Sequence, residues 1–79
     1  MCLGIPAKII SITDKESATA LVETAGVKRE ACISLLSLQG NSFDDLIGQW
    51  VLLHVGFAMA VIDQDEALRT LALLASLEG

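Results

Sequence analysis

The sequence predicts a mainly β fold, a small five-stranded barrel followed by a C-terminal α-helix. Three observations lead to this prediction. Short segments of alternating apolar and polar residues recur up to Ile62, glycines stand at the bends between them, and helix-forming residues follow Asp63. The 79 residues suffice for one domain, with the barrel over about 3–62 and the helix over about 63–78. An open meander of five strands is the alternative that this pattern allows.

Two strands are expected at the start of the chain. The Ile-rich run 3–12 predicts the first strand, with Pro6 near its beginning, where a missing backbone donor is tolerated. Residues 17–24 predict the second strand. Ala25–Gly26 predicts a tight turn after it, because glycine readily adopts a positive φ.

The third strand is expected over residues 27–35. Its alternation places Ala31 and Ile33 on one face together with Val27 and Arg29, and places Cys32 among polar residues on the other face. A loop over 37–48 should follow. The run Phe43–Ile47 favours one helical turn within that loop.

Residues 49–55 give the clearest strand pattern in the chain. Two faces alternate along it, Trp50, Leu52 and His54 on one, and Val51, Leu53 and Val55 on the other. A fifth strand is expected over 57–62. Gly56 between the two strands indicates a bulge, a bend or a close approach by another backbone segment.

The helix should begin at Asp63, because Asp63 and Glu66 resemble a capping box. An apolar stripe at helical spacing is formed by Leu68, Leu71, Leu74 and Ala75. Leu73 and Leu77 lie off this stripe. They either pack within the protein or contact a partner.

Composition limits the possible functions. The net charge is −5, with ten acidic and five basic side chains, which argues against a nucleic-acid partner and against an anionic membrane surface. No apolar run reaches the roughly 18 residues of a membrane span, and no signal peptide is recognisable, so we expect a cytoplasmic protein. Because 53% of the residues are hydrophobic in so small a chain, apolar surface should remain for a protein partner.

Cys2 has unusual chemistry because it follows the initiator methionine. Removal of Met1 would leave an α-amine and a thiol on one residue, spaced to close a five-membered ring on a metal ion. The thiolate is the metal-binding form, and a neighbouring ammonium favours it. The alternative is that Cys2 is a small apolar residue at a chain end.

His54 is the only histidine and the second candidate metal ligand. Thiolate and imidazole together suit iron, nickel or zinc. Two side chains leave coordination positions open, as a carrier that releases its metal requires, whereas a structural site is closed. A half-buried histidine with a purely structural role is the alternative. No arrangement of nucleophile, base and orienting group is evident, so we do not expect an enzyme.

Two motifs carry a resemblance to a known family. Met1-Cys2-Leu3-Gly4-Ile5-Pro6 at the N-terminus and the segment 48–59, Gly-Gln-Trp-Val-Leu-Leu-His-Val-Gly-Phe-Ala-Met, are similar to those of the HypC/HybG family of nickel–iron hydrogenase maturation chaperones. The similarity extends to residues 26–29 and 63–71 and therefore covers most of the chain.

The resemblance implies an OB-like barrel and a specific activity. Family members carry the hydrogenase iron centre with its cyanide and carbonyl ligands. They act in complex with HypD, an iron–sulfur protein, and deliver the centre to the precursor of the hydrogenase large subunit. The family's essential cysteine corresponds to Cys2, and its motif histidine, implicated in iron handling, corresponds to His54. The segments Leu3–Pro6 and 56–59 are expected to shape the site or to contact partners, through Gly4, Ile5, Gly56, Phe57 and Met59.

Three points limit or compete with this interpretation. Cys32 has no expected counterpart in the family, so we predict no role for it. An adaptor that binds maturation partners without ligating iron is the alternative function. An oligonucleotide-binding barrel is disfavoured, because single-strand binders need a basic groove with aromatic stacking platforms.

Overall fold

The computed structural model describes residues 4–78 and contains a closed barrel. Its five strands are β1 (Ile5–Asp14), β2 (Thr19–Thr24), β3 (Val27–Cys32), β4 (Trp50–His54) and β5 (Phe57–Ile62). They follow the order β1-β2-β3-β5-β4, and β4 closes the barrel against β1. All pairs are antiparallel except β3 with β5. The predicted barrel is therefore confirmed, and the open meander is excluded.

β1 is the longest of the five strands, and its two ends have different partners. Its first half pairs with β4 from Ile5 opposite Leu53, and its second half pairs with β2 from Lys8 onward. The β1–β2 register shifts twice, between Ile9 and Ser11 and again after Ile12. Such irregularities increase local twist and bend a strand, which is what a small closed barrel requires.

Two hairpins have turns of the same backbone form. Ala25 and Gly26 have φ of 50° and 85° between paired Thr24 and Val27. Val55 and Gly56 have φ of 53° and 80° between paired His54 and Phe57. Two successive positive φ values in a two-residue loop define a type I′ turn, whose twist matches that of the flanking strands.

The predictions for these turns differ in outcome. The turn at Ala25–Gly26 is confirmed, and the interruption at Gly56 is a hairpin turn. The placement of Val55 in the strand, on one face with Val51 and Leu53, is wrong, because β4 ends at His54. Val55 is the first residue of the turn and is 80% exposed.

Both turns lie at the end of the barrel where β1 begins. The β1–β2 register brings the Ala25–Gly26 turn to this end, and the pairing of Ile5 with Leu53 brings the Val55–Gly56 turn there. We call this the hairpin end of the barrel. It combines the start of β1 with two tight turns, and it therefore holds several residues singled out by their chemistry.

The barrel interior is filled by small and branched aliphatic side chains. Val51 and Leu53 of β4 point inward and are buried, whereas Trp50, Leu52 and His54 are half-buried on the outer face, as the alternation predicts. Core residues from the other elements include Ala7, Ile9, Ala20, Val22, Ala31, Ile33, Leu36, Leu46 and Ala58. Small residues suit the narrow interior of a five-stranded barrel.

Two short helices replace part of the predicted third strand and loop. β3 ends at Cys32, and α1 (Ser34–Leu38) follows, with Leu36 buried. α1 packs against β5 at the seam where β3 and β5 share the single pair Cys32 and Phe57. The helical turn expected within 43–47 is present as α2 (Phe43–Leu46).

The C-terminal helix α3 (Gln64–Glu78) packs on β1 and β4. Ala67 is fully buried, and Leu71 and Leu74 are half-buried, so the contact stripe follows an i, i+4, i+7 pattern. Leu68 from the predicted stripe is largely exposed, as is Leu73 off it. Leu77 lies outside the part whose side chains are described.

The start of α3 differs from the predicted capping box. The carbonyl of Asp63 accepts a hydrogen bond from the Ala67 N–H at 2.9 Å. No hydrogen bond of the Asp63 carboxylate is found within residues 4–78. Asp65 and Glu66 in the first turn still favour the helix through its dipole. None of the helices described between residues 4 and 78 combines the length and apolar character of a membrane span.

Candidate functional site

The hairpin end brings together two motifs that are distant in the sequence. Ile5, at the end of the N-terminal motif, pairs with Leu53, and Pro6 pairs with Leu52. His54 follows Leu53 directly, so continuing the same register by one residue sets Gly4 opposite His54. The described part of the N-terminal motif, residues 4–6, is therefore a neighbour of the motif histidine. Cys2 and Leu3 lie outside the described residues.

Gly4 is at a point of close backbone approach. A Cβ at this position would stand 2.7 and 2.8 Å from the Leu52 methyl carbons, and it would also overlap the Leu52 Cγ. Real Cβ atoms do not tolerate such contacts, so any larger residue would displace Leu52 or the chain. Gly4 thus allows the N-terminal segment to lie directly on β4.

Pro6 and Ile5 differ in their surroundings. Pro6 is buried, and its carbonyl accepts a hydrogen bond from the Thr24 hydroxyl at 3.2 Å. Ile5 is 45% exposed although it begins a strand. Pro6 therefore anchors the start of β1, while Ile5 offers apolar surface at the hairpin end.

His54 ends β4 on the outer face of the barrel and is half-buried. Among the side-chain hydrogen bonds of residues 4–76, none involves its imidazole. Both ring nitrogens can thus engage an external group.

The second hairpin continues with exposed apolar residues. Phe57 is 52% exposed and Met59 is 42% exposed, whereas Ala58 between them is buried. The Met59 carbonyl accepts a hydrogen bond from the Gln39 side chain at 3.3 Å, which links β5 to the end of α1. Gly56 supplies its carbonyl to the Cys32 N–H at 2.9 Å. The backbone of this hairpin is fixed, and its large apolar side chains face outward.

Two clefts open at the hairpin end, one on each side of Ile5. The first has a volume of about 260 Å³ and is lined by Ile5, Thr24, Arg29, Leu53, Val55 and Gly56. The second, about 290 Å³, lies between this end and α3, with Leu71, Leu74 and Ala75 as its helix wall. Both are predominantly apolar. Arg29 is the one charged residue among the described residues that line them.

The described residues do not form a complete metal site. Within residues 4–78, no three His, Cys, Asp or Glu side chains are grouped closely enough to hold an ion. His54 offers a single imidazole, and a closed site needs four donors in total.

Cys32 lies closer to this region than its sequence position indicates. It pairs with Phe57 across the β3–β5 seam, and its Sγ is 3.2 Å from the Ser34 hydroxyl. The hydroxyl and a backbone hydrogen bond from Ser34 lower the pKa of the Cys32 thiol, with burial opposing them. The prediction that Cys32 has no role is not tested by this geometry.

The sequence did not identify Arg29 or Val55 as parts of this region. The alternation of β3 predicts Arg29 on the face shared with Ala31, and in the structure Arg29 lines the first cleft. The strand pattern extends to Val55, although the Val-Gly pair before Phe57 is also compatible with a two-residue turn. Knowledge of the β1–β4 pairing was needed to join these residues to the N-terminal motif.

Comparison with known proteins gives a consistent assignment. The HupF/HypC family model matches residues 1–74. The chain is 47% identical over 77 residues to the hydrogenase maturation factor HypC of Rhodobacter capsulatus, covering 98% of the chain and 78% of that protein. It is 45% identical over 78 residues to the hydrogenase maturation factor HybG of Escherichia coli K12, covering 99% of the chain and 93% of that protein.

A third relative shows the range of this similarity. The hydrogenase maturation factor HypC of Escherichia coli K12 is 39% identical over 71 residues, which cover 90% of the chain and 76% of that protein. All three alignments therefore extend over at least 90% of the chain. On this evidence the chain belongs to the HupF/HypC family.

Proposed function

We propose that the protein is a cytoplasmic chaperone for nickel–iron hydrogenase maturation that carries the iron centre with its cyanide and carbonyl ligands. The centre is taken up in complex with a HypD-type iron–sulfur protein and delivered to the precursor of the hydrogenase large subunit. The chain acts as a carrier and not as an enzyme. One observation supports this most, the pairing of the N-terminal motif with the strand that ends in His54.

The Cys2 thiolate is the proposed anchor for the iron. Only Leu3 separates Cys2 from Gly4, so its Cα is within about 7.6 Å of the Gly4 Cα by chain length alone. Gly4 directly precedes β1. Ile5, the first residue of β1, pairs with Leu53, which is next to His54 in β4. A soft thiolate suits low-spin iron(II), and one or two protein ligands can be exchanged for cysteines of the target.

His54 is the proposed second contact to the cargo. Its imidazole has no hydrogen-bond partner among the described side chains, and it lies at the same end of the barrel as Gly4. The exposed Ile5, Phe57 and Met59 provide apolar surface for the partner proteins, together with Leu3 and Gly56 of the two motifs. Cargo and partner would then meet at one end of the molecule.

The experiment is infrared spectroscopy and intact mass measurement on protein purified anaerobically with its bound partner. We expect loss of Met1 and bands of iron-bound cyanide and carbonyl. Cys2→Ala should abolish the bands and hydrogenase maturation, and His54→Ala should lower iron content less completely. The control is a thermal melt, in which both variants should unfold as the wild type does.

The same experiment distinguishes the alternative adaptor. The exposed Phe57 and Met59 would serve an adaptor equally well, because they need no metal. An intact complex without cyanide and carbonyl bands, or normal maturation by the Cys2→Ala protein, would reject the carrier. Wild-type iron content in His54→Ala would remove only the imidazole from the set of ligands.

A further inference from the structure

We infer that the outer edge of β3 binds an extended segment of the HypD-type partner by β-strand addition. The segment places an aliphatic side chain in the first cleft and a neighbouring carboxylate at Arg29. The inference rests on the proposed function for the identity of the partner. It adds to that function a peptide-binding groove that needs no metal.

The outer edge of β3 is open within the part of the chain that the structure describes. β3 pairs with β2 from Val27 to Cys32, but with β5 it shares only the pair of Cys32 and Phe57. β5 begins at Phe57, after the Val55–Gly56 turn. No described strand therefore lies beside residues 27–31 on this side. Such an edge is a template for pairing with another chain.

Two residues of β3 direct their backbone groups toward this edge. The Cys32 N–H donates to the Gly56 carbonyl at 2.9 Å, on the β5 side. Because the hydrogen-bonding direction of the backbone alternates along a strand, Glu30 and Lys28 face the same side as Cys32. The residues between them face β2. The N–H and C=O groups of Lys28 and Glu30 can therefore bond to an added strand.

The first cleft lies beside this edge and provides a side-chain pocket. Its lining includes Arg29 of β3, the Val55–Gly56 turn and the apolar Ile5 and Leu53. Its volume of about 260 Å³ is below the roughly 300–1,000 Å³ of pockets that hold drug-sized ligands. In an added strand, the residue opposite Arg29 points to the same face as Arg29, toward the cleft. The cleft therefore suits an aliphatic side chain of a peptide.

Arg29 determines the charge expected of the segment. Among the side chains of residues 4–76 the one ion pair joins Lys15 to Asp44, so the Arg29 guanidinium has no carboxylate partner there. Arg29 is exposed and is the one charged residue among the described residues that line the cleft. A guanidinium pairs with a carboxylate through two charge-assisted hydrogen bonds. An acidic residue beside the aliphatic one is therefore the complementary choice.

The position of Phe57 leads from the edge to the partner. The open edge ends at Cys32, whose pair Phe57 is 52% exposed and belongs to the apolar surface proposed for partner proteins. A protein that covers Phe57 therefore reaches the edge as well. The successive charged side chains of residues 28–30 disfavour edge-to-edge pairing of two copies of this chain. This is why the segment is assigned to the HypD-type partner.

Amide hydrogen exchange measured by NMR tests the open edge directly. In the free protein the amides of Lys28 and Glu30 should exchange fast, while those of Arg29 and Ala31 are protected by β2. Exchange carried out in the complex with the HypD-type partner and read in the free protein should be slowed about tenfold or more at Lys28 and Glu30, because hydrogen-bonded amides exchange only on opening. Arg29 and Ala31 serve as internal controls.

Two substitutions of Glu30 separate its backbone from its side chain. Glu30→Pro removes the N–H that faces the edge, and proline is tolerated there because no bond to β2 is lost. Glu30→Gln removes the same charge but keeps the N–H. We expect Glu30→Pro to raise the Kd for the HypD-type partner about tenfold and Glu30→Gln to leave it nearly unchanged. A thermal melt establishes that Glu30→Pro is folded, and the exchange data decide if it is not.

Lys28 provides a matched control for the charge of Arg29. Strand alternation points Lys28 to the opposite face, across from Glu23. Arg29→Gln and Lys28→Gln change the net charge equally, but only the first alters the cleft. We expect Arg29→Gln to raise the Kd about threefold to tenfold at low salt, with a smaller effect at high salt. Equal effects of the two variants would remove the carboxylate from the proposed segment.

Each other exchange result overturns the inference. Fast exchange of Lys28 and Glu30 in an intact complex would show that the edge stays open, and the carrier function would survive. Slow exchange in the free protein would show that the edge is covered without a partner. Slowing that depends on protein concentration would assign the edge to a second copy, and slowing only with the large-subunit precursor would assign it to that protein. Absence of any complex with the HypD-type protein would reject the proposed function as well.

Discussion

The two hairpin turns of the barrel share one backbone form but differ in the residues they carry. Ala25–Gly26 has a small residue at its first left-handed position, at φ 50°, and is followed by a strongly charged strand. Val55–Gly56 has a β-branched residue there, at φ 53°, and lies between a histidine and an exposed phenylalanine. β-Branched residues are poorly suited to positive φ.

This difference indicates that the second hairpin is not optimised for its own stability. A turn selected only for stability would carry asparagine, aspartate or glycine at its first position. Residues that conflict with local preference tend to occur at functional sites. The comparison therefore supports a functional role of the second hairpin, and three paired substitutions test it.

The largest expected effect concerns partner binding. Phe57 and Val27 each follow a turn, and their exposed fractions are nearly equal, 52% and 53%. We expect Phe57→Ser to weaken binding to the HypD-type partner by tenfold or more, because exposed aromatic residues often dominate interfaces, at about 2 kcal/mol or more each. Val27→Ser should change the Kd little. Calorimetric titration measures both, and equal losses would show that the two hairpins do not differ in this function.

The intermediate effect concerns the glycines. Gly56 and Gly26 have φ of 80° and 85°, and an added Cβ would meet no atom within 4 Å at either position. Alanine should therefore destabilise each turn only through its left-handed conformation, by about 1–2 kcal/mol. The two losses should be equal in urea denaturation. A clearly larger loss at Gly56 would reveal strain in the second hairpin beyond that of its turn type.

The smallest effect concerns the first turn position. Val55→Asn replaces a β-branched residue with one that tolerates positive φ, so we expect the free energy of unfolding to rise by about 0.5–1 kcal/mol. Ala25→Asn should give a smaller gain, because alanine lacks the branch. Chemical denaturation of the two variants checks this order. A destabilised Val55→Asn protein would mean that the valine makes contacts which compensate for its backbone conformation.

Local pattern was sufficient for much of the fold. β5 begins and ends where predicted, because a continuous apolar run stands between Gly56 and the acidic start of the helix. The predicted start of α3 is within one residue of the observed one. The boundary at Cys32 was missed because the apolar residues from Ile33 to Leu36 fit a strand and a helical turn equally well. In the structure the segment forms α1, in which Leu36 is buried at the β3–β5 seam.

The candidate site was predictable only in part. The chemistry of His54 is evident from its residue type and its place in a strand. Its proximity to Gly4 and Ile5 is not evident from the sequence. That proximity arises because β4 pairs with β1 in addition to its sequence neighbour β5. The first cleft depends on the same closure, since it has walls from four strands and a turn.

Closure of the barrel by its first and fourth strands has a consequence for synthesis on the ribosome. Ile5 leaves the exit tunnel long before Leu53, so the N-terminal strand has one partner, β2, and an open edge during most of translation. Contacts between distant parts of a chain form late in folding. The hairpin end is therefore completed only when nearly the whole protein has emerged. Until then a nascent chain cannot present His54 beside Gly4.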